Sequence, residues 1–198
     1  MTNAEALARL ERLIQTQKPA GVPWAPVTDY SFEARKAIEG RHPDLIVQAF
    51  QPREAYDIGC GPGHLVRLLA DRGVYAQGFD KAEGFDIAVP KRPRFPKADL
   101  VICREVLEHL TVKEIAQAVR NLCALSSRYI YLTTRFAKNP EHFLSVDTSD
   151  DLDPTHMSML NQDFLRLLFV LEGFTRRADL ESILDWQHKG RVLVYERP

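Results

Sequence analysis

The stretch that decides the fold is DIGCGPGH, residues 57–64. It follows a short apolar segment, residues 55–58, and leads into residues 63–72, where leucines recur at helical spacing. Closely set glycines let the main chain turn sharply and let a ligand approach it closely. We therefore predict a strand, a tight glycine turn and a helix, with a ligand site at the turn.

The rest of the chain alternates between short apolar segments and amphipathic ones. Further strands are predicted at 74–79, 99–103, 129–134 and 191–196, and further helices at 112–126 and 161–172. This alternation predicts a single α/β domain of the Rossmann-like type. Its sheet is expected to be mostly parallel, with helices on both faces and an antiparallel C-terminal strand.

The first fifty residues differ from the rest because they show only helical patterns. Leucine and alanine spacing predicts a helix over 3–16, and residues 31–50 look helical with an interruption near His42 and Pro43. These residues hold too few apolar side chains for a core of their own. We therefore predict that residues 1–50 form a helical N-terminal layer or lid, and residues 51–198 the ligand-binding domain.

The charge at the glycine turn favours one class of ligand. A dinucleotide site has the pattern GxGxxG, whereas the position of the third glycine is His64 here. The carboxylate of Asp57 would repel a pyrophosphate and attract a cation. S-adenosylmethionine carries an ammonium and a sulfonium group and has no phosphate, so its charge suits this turn. A nicotinamide or flavin site and a tight turn without a ligand are the alternatives.

Three segments resemble motifs of the class I methyltransferases, which use S-adenosylmethionine. DIGCGPG at 57–63 is similar to the first motif, GFD at 78–80 to the second, and DLVICREVLEHL at 99–110 to the fourth. The closing GF at 173–174 also suits this family. One departure is the short segment between Asp80 and Asp99, where most relatives carry a full helix and another strand.

The resemblance implies S-adenosylmethionine as the cofactor and a role for each matching residue. Asp57 would hold the ammonium, the turn would pack against the methionine part, and an acid closing the second strand would bind the ribose. An acid in the shortened segment would contact adenine, and the end of the third strand would flank the methionine portion. The cofactor-binding residues implied in this way are Asp57, Gly59, Cys60, Gly61, Gly63, Asp80, Asp86, Cys103 and Arg104.

A second constellation concerns the acceptor side. Glu105, Glu108 and His109 are spaced i, i+3 and i+4, which would place them on one face if the segment is helical. Two carboxylates and an imidazole can hold a divalent ion. As catalytic residues, the same three would line the acceptor pocket, with His109 as general base. Many class I methyltransferases carry EVLEHL without a metal.

The pattern ExxEH, followed later by Thr155 and His156, resembles two groups of methyltransferases. These are the ubiquinone-biosynthesis O-methyltransferases and the 2′-O-methyltransferases that act on the 3′ ends of small RNAs. The resemblance implies a divalent metal near the acceptor oxygen. Its implied ligands are Glu105, Glu108, His109 and His156.

Composition excludes several classes of protein and partner. The net charge of −1 argues against a broad nucleic-acid surface. The three cysteines, Cys60, Cys103 and Cys123, form no CxxC pair, which favours a reducing cytoplasm. No apolar run approaches the roughly 20 residues that span a bilayer, so no membrane insertion is expected.

These features predict an S-adenosylmethionine-dependent methyltransferase that methylates an oxygen of an acceptor. A small-molecule acceptor is favoured, an RNA end is possible, and the sequence does not specify the acceptor or the oligomeric state. The competing class is a non-catalytic methyltransferase-like protein that binds the cofactor or a partner.

Overall fold

The structure is a computed structural model that describes residues 31–90, 95–137, 155–185, 187 and 189–198, with isolated positions between residues 2 and 15. The described positions between residues 4 and 15 are helical, in agreement with the predicted first helix. None of the helices in the described part of the chain is long and apolar enough to cross a bilayer.

Strands and helices alternate along the described chain. The strands are β1 (Glu54–Ile58), β2 (Tyr75–Phe79), β3 (Ala98–Arg104), β4 (Ser126–Thr133), β5 (Thr175–Arg176) and β6 (Val192–Glu196). The α-helices are α1 (Phe32–Glu39), α2 (His42–Phe50), α3 (His64–Ala70), α4 (Val112–Leu125), α5 (Gln162–Leu171) and α6 (Ala178–Leu184). Short 3-10 turns follow β2 and β3, at Lys81–Glu83 and Leu107–His109. The sequence did not predict α6, because seven residues are too few to display a helical period.

Local signals fix where these helices begin and end. Gly40, with φ at 52°, ends α1, and a proline in the first turn of α2 starts the next helix. The side chain of Glu114 accepts a hydrogen bond from the Thr111 backbone N–H at 2.8 Å, which completes a capping box at the start of α4. The interruption predicted near His42 is therefore real.

The strands form one six-stranded sheet in the order β2-β1-β3-β4-β6-β5. β1 pairs in parallel with β2 and β3, and β3 pairs in parallel with β4. The C-terminal strand β6 runs antiparallel between β4 and β5. The predicted α/β architecture and its antiparallel last strand are confirmed. The order of strands reverses between β1 and β3, and ligands of such sheets bind in the crevice at that point.

The core consists of two apolar clusters, one on each face of the sheet. Alternate residues of β3 contribute to opposite clusters, Val101 to one and Ile102 to the other. Helices α4 and α5 cover the first face, and α2, α3 and α6 cover the second. Ile46 of α2 is fully buried in the second cluster, so this part of the predicted N-terminal layer packs directly on the sheet.

The connection from β2 to β3 is short, as the sequence indicates. Its described residues, 80–90 and 95–97, form a 3-10 turn and loops and contain no α-helix or strand. Asn121 of α4 anchors this connection by donating to the carbonyl oxygens of Ile87 and Val89 at 2.7 and 2.9 Å. Within the described chain, β2 therefore has a strand on one side only, with β1.

Candidate active site

The glycine turn lies at the carboxyl end of β1 and has a left-handed backbone. Gly59, Gly61 and Gly63 have φ values of 75°, 52° and 76°, which side chains rarely adopt. A Cβ at Gly59 would lie 2.3 Å from Cγ2 of Val106, whereas nothing lies within 4 Å of a Cβ at Gly61 or Gly63. The first glycine is thus required by packing inside the protein, and the other two border open space.

Asp57 occupies the last part of β1, directly behind this turn. The residue is only 6% exposed, and its side chain has no hydrogen-bond donor among the residues that the structure describes. Burial raises the pKa of Asp57 to about 6, the Arg104 charge opposes the rise, and Glu39 and Asp80 add to it. A buried carboxylate without a donor is costly, so this position is suited to a cationic partner.

Asp80 closes β2 and ties the turn to this strand. One of its carboxylate oxygens accepts the Gly61 N–H at 2.9 Å, and the other accepts the Ala82 N–H at 2.9 Å. The Gly59 N–H also donates to the Phe79 carbonyl oxygen at 2.7 Å. Asp80 therefore shapes the turn as well as facing the site predicted for ribose, a second role that the motif alone did not reveal.

Three other predicted cofactor residues, Cys60, Cys103 and Asp86, lie in three different environments. Cys60 packs behind the turn against Gly78; a Cβ added at Gly78 would lie 2.6 Å from the Cys60 sulfur. Burial raises the pKa of the Cys60 thiol to about 12. Cys103 is fully buried between the strands, so its thiol belongs to the core. Asp86 accepts the Ala88 N–H and forms an ion pair with Lys81, each at 2.9 Å.

Arg104 ends β3 and belongs to a buried network that sequence reasoning missed. Its guanidinium donates to both carboxylate oxygens of Glu39, at 2.9 and 2.7 Å. His42 joins Glu39 through Nδ1 at 3.0 Å and the Tyr131 hydroxyl through Nε2 at 2.7 Å. Burial lowers the pKa of His42. The network connects the junction of α1 and α2 to the sheet, and only a structure can pair residues so far apart in sequence.

The segment Glu105–His109 corrects one prediction. It is not an α-helix, because Glu105 has φ at 52° and only Leu107–His109 form a 3-10 turn. The expectation that Glu105, Glu108 and His109 share one helical face is therefore wrong. The reason is that Glu105 leaves β3 in a left-handed conformation, although its side chain still interacts with that of Glu108.

Three of the four predicted metal ligands nevertheless lie together. Each of Glu108, His109 and His156 offers a ligand atom, and these atoms lie within 4.8 Å of one another. The rings of His109 and His156 are 4.9 Å apart between centroids. Glu105 lies outside this group; its carboxylate is 3.7 Å from the guanidinium of Arg191. We call Glu108, His109 and His156 the acid–histidine cluster.

Glu108 is the most buried member of the acid–histidine cluster, with no exposed surface. Its Oε2 accepts the Thr134 hydroxyl at 2.7 Å, and its Oε1 is buried without a hydrogen-bond partner among the described residues. Burial raises the pKa of Glu108 well above its usual value, and the charge of Glu105 raises it further. The main chain is fixed too, because the Glu108 carbonyl accepts N–H groups from Met157 and Ser158 at 2.6 and 3.1 Å.

The His109 ring is positioned by Thr155. Its Nδ1 lies 2.8 Å from the Thr155 hydroxyl oxygen and 3.3 Å from the Thr155 carbonyl oxygen. Thr155 immediately precedes His156, so one short segment places both the second imidazole and the group that orients the first. The sequence showed the Thr155–His156 pair, but the contact of Thr155 with His109 is visible only in the fold.

A family model described as a methyltransferase domain matches residues 31–178. No curated protein matches the chain.

Solved structures share the fold at low sequence identity. Magnesium protoporphyrin IX methyltransferase from Synechocystis PCC 6803, with bound SAH, has a TM-score of 0.60 at 18% identity, covering 99% of this chain and 96% of that chain. A SAM-dependent methyltransferase from Archaeoglobus fulgidus has a TM-score of 0.55 at 18% identity, covering 84% and 95%. Human N-acetylserotonin methyltransferase, in complex with SAM, has a TM-score of 0.54 at 11% identity, covering 99% and 67%.

Proposed function

The chain belongs to the methyltransferase-domain family, as an S-adenosylmethionine-dependent enzyme of class I, and we propose that it methylates an oxygen of a small-molecule acceptor. The observation that carries the proposal is the buried carboxylate of Asp57 behind the glycine turn. When bound, S-adenosylmethionine supplies the methyl group by direct in-line displacement from its sulfonium. The protein then acts mainly by positioning and by excluding water.

On the cofactor side, each residue has a distinct task. Asp57 attracts the ammonium, and the open positions at Gly61 and Gly63 leave room for the methionine part. Asp80 has lone pairs left on both oxygens after accepting one backbone N–H on each, and these accept the ribose hydroxyls. The main chain at Cys60 and at the end of β3, Cys103 and Arg104, flanks the methionine portion, and Asp86 is the candidate adenine contact.

On the acceptor side, His109 is the proposed general base. The tautomer that carries its proton on Nδ1 donates to Thr155 and keeps the lone pair on Nε2. An acceptor hydroxyl within hydrogen-bond distance of Nε2 would lose its proton there. Glu108 then lies beside the charge that forms on the imidazole, and Glu105 lines the approach to it.

The acid–histidine cluster also fits a divalent metal. Glu108 has a buried oxygen without a partner among the described residues, and two imidazoles lie beside it. Two nitrogen ligands favour Mn²⁺, Fe²⁺, Co²⁺ or Zn²⁺ over Mg²⁺. Glu108, His109 and His156 would hold the ion, and Glu105, whose side chain interacts with Glu108, would lie next to it. A bound metal would lower the pKa of the acceptor hydroxyl.

The proposed location is a reducing compartment such as the cytoplasm. The three cysteines are free thiols, and Cys103 and Cys123 are buried. This arrangement supports a protein whose thiols stay reduced.

Calorimetry and a turnover assay test the proposed function. S-adenosylmethionine should bind the purified chain, and S-adenosylhomocysteine should accumulate when a panel of phenols and alcohols is added. His109→Ala and Glu108→Gln should lower turnover at least about 100-fold and leave cofactor affinity within about twofold, since neither residue lies in the glycine turn. Glu33→Gln, at an exposed position on α1, is the matched control.

Two results would contradict the proposal in different ways. Absence of cofactor binding would leave the chain a structural module of the family. Cofactor binding with full turnover in both variants would remove the acid–histidine cluster from the reaction. Turnover that is lost on chelation and restored by Mn²⁺ or Zn²⁺ would identify the metal-assisted route.

A further inference from the structure

A polar cavity is lined in part by Glu105, the residue whose side chain interacts with Glu108 of the acid–histidine cluster. Its volume is about 240 Å³, and it opens between the carboxyl ends of β3 and β4, the junction of α1 and α2, and the loop before β6. Arg104, Glu105, Lys189 and Arg191 are among the side chains that line it. A water molecule occupies about 30 Å³ in the liquid, so the cavity has room for a single-ring compound.

The charged side chains on the inner wall of this cavity are paired with each other. Glu39 and Arg104 are paired through two hydrogen bonds, and the exposed fractions of their side chains are 6% and 19%. His42 lies between them and the Tyr131 hydroxyl, and its lowered pKa keeps it neutral near pH 7. The inner wall therefore offers no net charge to a ligand.

On the outer wall the Asp185 carboxylate keeps its negative charge, but backbone N–H groups hold its two oxygens. Both carboxylate oxygens of Asp185 accept backbone N–H groups, from Lys189 at 2.9 Å and Gly190 at 2.8 Å. These bonds fold the loop so that the Lys189 and Arg191 side chains face the cavity. Glu105 lies opposite Arg191, and at 3.7 Å their contact is longer than a direct charged hydrogen bond.

We propose that this cavity binds the carboxylate of a small hydroxylated acid, which is the methyl acceptor. Lys189 and Arg191 hold the carboxylate, since a guanidinium matches its planar geometry and an ammonium adds charge. The hydroxyl of the acceptor points past Glu105 toward the acid–histidine cluster. This inference rests on the proposed function, because it assigns the acceptor of the same site.

The test uses a pair of probes with nearly equal shape and different charge. Binding of 3-hydroxybenzoate and of 3-hydroxybenzamide is measured by calorimetry on the full chain, with and without saturating S-adenosylhomocysteine. We expect the carboxylate to bind at least about tenfold more tightly than the amide. Lys189→Gln and Arg191→Gln should each reduce this preference, and the double variant should abolish it.

Lys97→Gln is the matched control. Lys97 is exposed and precedes the amino end of β3, whereas the cavity lies at the carboxyl end of that strand. The control should keep the full preference, and thermal unfolding should show that all variants fold. Equal affinity for the two probes, absence of binding by both, or a preference that survives in the double variant would overturn the inference.

Failure of the inference and failure of the proposed function give different results. If S-adenosylhomocysteine binds but no carboxylate preference appears, the acceptor assignment is wrong and the methyltransferase site stands. If the carboxylate preference appears but S-adenosylhomocysteine does not bind, the cavity stands and the proposed function fails.

Discussion

At the scale of single residues, Asp57 stands out because its buried side chain has no hydrogen-bond donor among the described residues. A carboxylate that is 6% exposed would ordinarily be expected to have donors around it. Asp80, which follows the neighbouring strand β2, accepts two backbone N–H groups, but Asp57 has no such bond among the described residues. This difference is what we predict for an acid that binds a cation.

The raised pKa of Asp57, about 6, makes cofactor affinity depend on pH. Below this value Asp57 takes up a proton and loses the charge that attracts the ammonium. The affinity for S-adenosylmethionine should therefore fall as the pH decreases from about 7 to 5, by up to about tenfold per unit below the pKa. Calorimetry over this range checks the slope. Asp57→Asn should bind weakly with a flat profile, and an unchanged slope in this variant would assign the titration elsewhere.

At the scale of elements, two glycines of the same turn are needed for different reasons: one for packing inside the protein and the other, we predict, for space beside a ligand. Gly59 faces Val106, whereas Gly61 faces open space, although both have positive φ. The turn is also bonded to the end of β2 through Phe79 and Asp80. Two motifs that are read separately in sequence are therefore one structural unit.

Gly59→Ala and Gly61→Ala should consequently affect different properties. Both variants pay about 1 kcal/mol for a left-handed alanine. Gly59→Ala also forces Val106 to move, because the new Cβ would lie 2.3 Å from its Cγ2, so its loss of unfolding free energy should be clearly larger. Gly61→Ala should mainly weaken cofactor binding. Urea unfolding and calorimetry measure the two effects, and equal losses of stability would contradict the packing difference.

The α1–α2 junction is held to the sheet by the pair of Glu39 and Arg104. Removing one partner of such a pair leaves the other charge without compensation, so Glu39→Gln should cost about 3 kcal/mol of unfolding free energy near pH 7. Glu33→Gln, on the exposed side of α1, should change it by less than about 0.5 kcal/mol. A loss as small as that of the control would show that the pair does not anchor the junction.

The same pair gives a pH dependence with a definite sign. Although burial alone would raise it, the pKa of Glu39 is held well below 4.5 by the His42 hydrogen bond and the Arg104 charge. A lowered carboxyl pKa adds stability that is complete above the unfolded value and declines as the pH falls toward the folded one. The stability gap between the wild type and Glu39→Gln should therefore narrow below about pH 4.5.

At the scale of the whole molecule, the strand order of the described sheet predicts a ligand site at the carboxyl ends of its parallel strands. A ligand that binds there stabilises the entire domain. At a concentration of about 100 times its dissociation constant, S-adenosylhomocysteine should add about 2.7 kcal/mol. For a chain of this length this corresponds to a rise in Tm of about 5 to 10 °C. Thermal unfolding checks the shift, and an equal rise in Asp57→Asn would place the ligand elsewhere.

Much of this arrangement is predictable from sequence because it depends on local patterns. Apolar runs predict the buried strands β1 and β3, and closely set glycines predict the tight turn at residues 59–63. The shared face of Glu105, Glu108 and His109 was expected only if the segment is helical, and spacing alone does not reveal a left-handed residue at position 105. The pairing of Glu39 with Arg104 was not predictable, since it depends on how α1 packs on the sheet.

Within the described residues β2 pairs with a strand on one side only, which bears on how the protein behaves at high concentration. The strand Tyr75–Phe79 contains neither a charge nor a proline, which are the usual protections of an exposed sheet edge. Tyr75 is 62% exposed and Phe95 45% exposed beside it, so we expect β2 to favour association between molecules through their sheet edges. Gln77→Lys, at an exposed position of this strand, would put a charge on the sheet edge and should reduce such association.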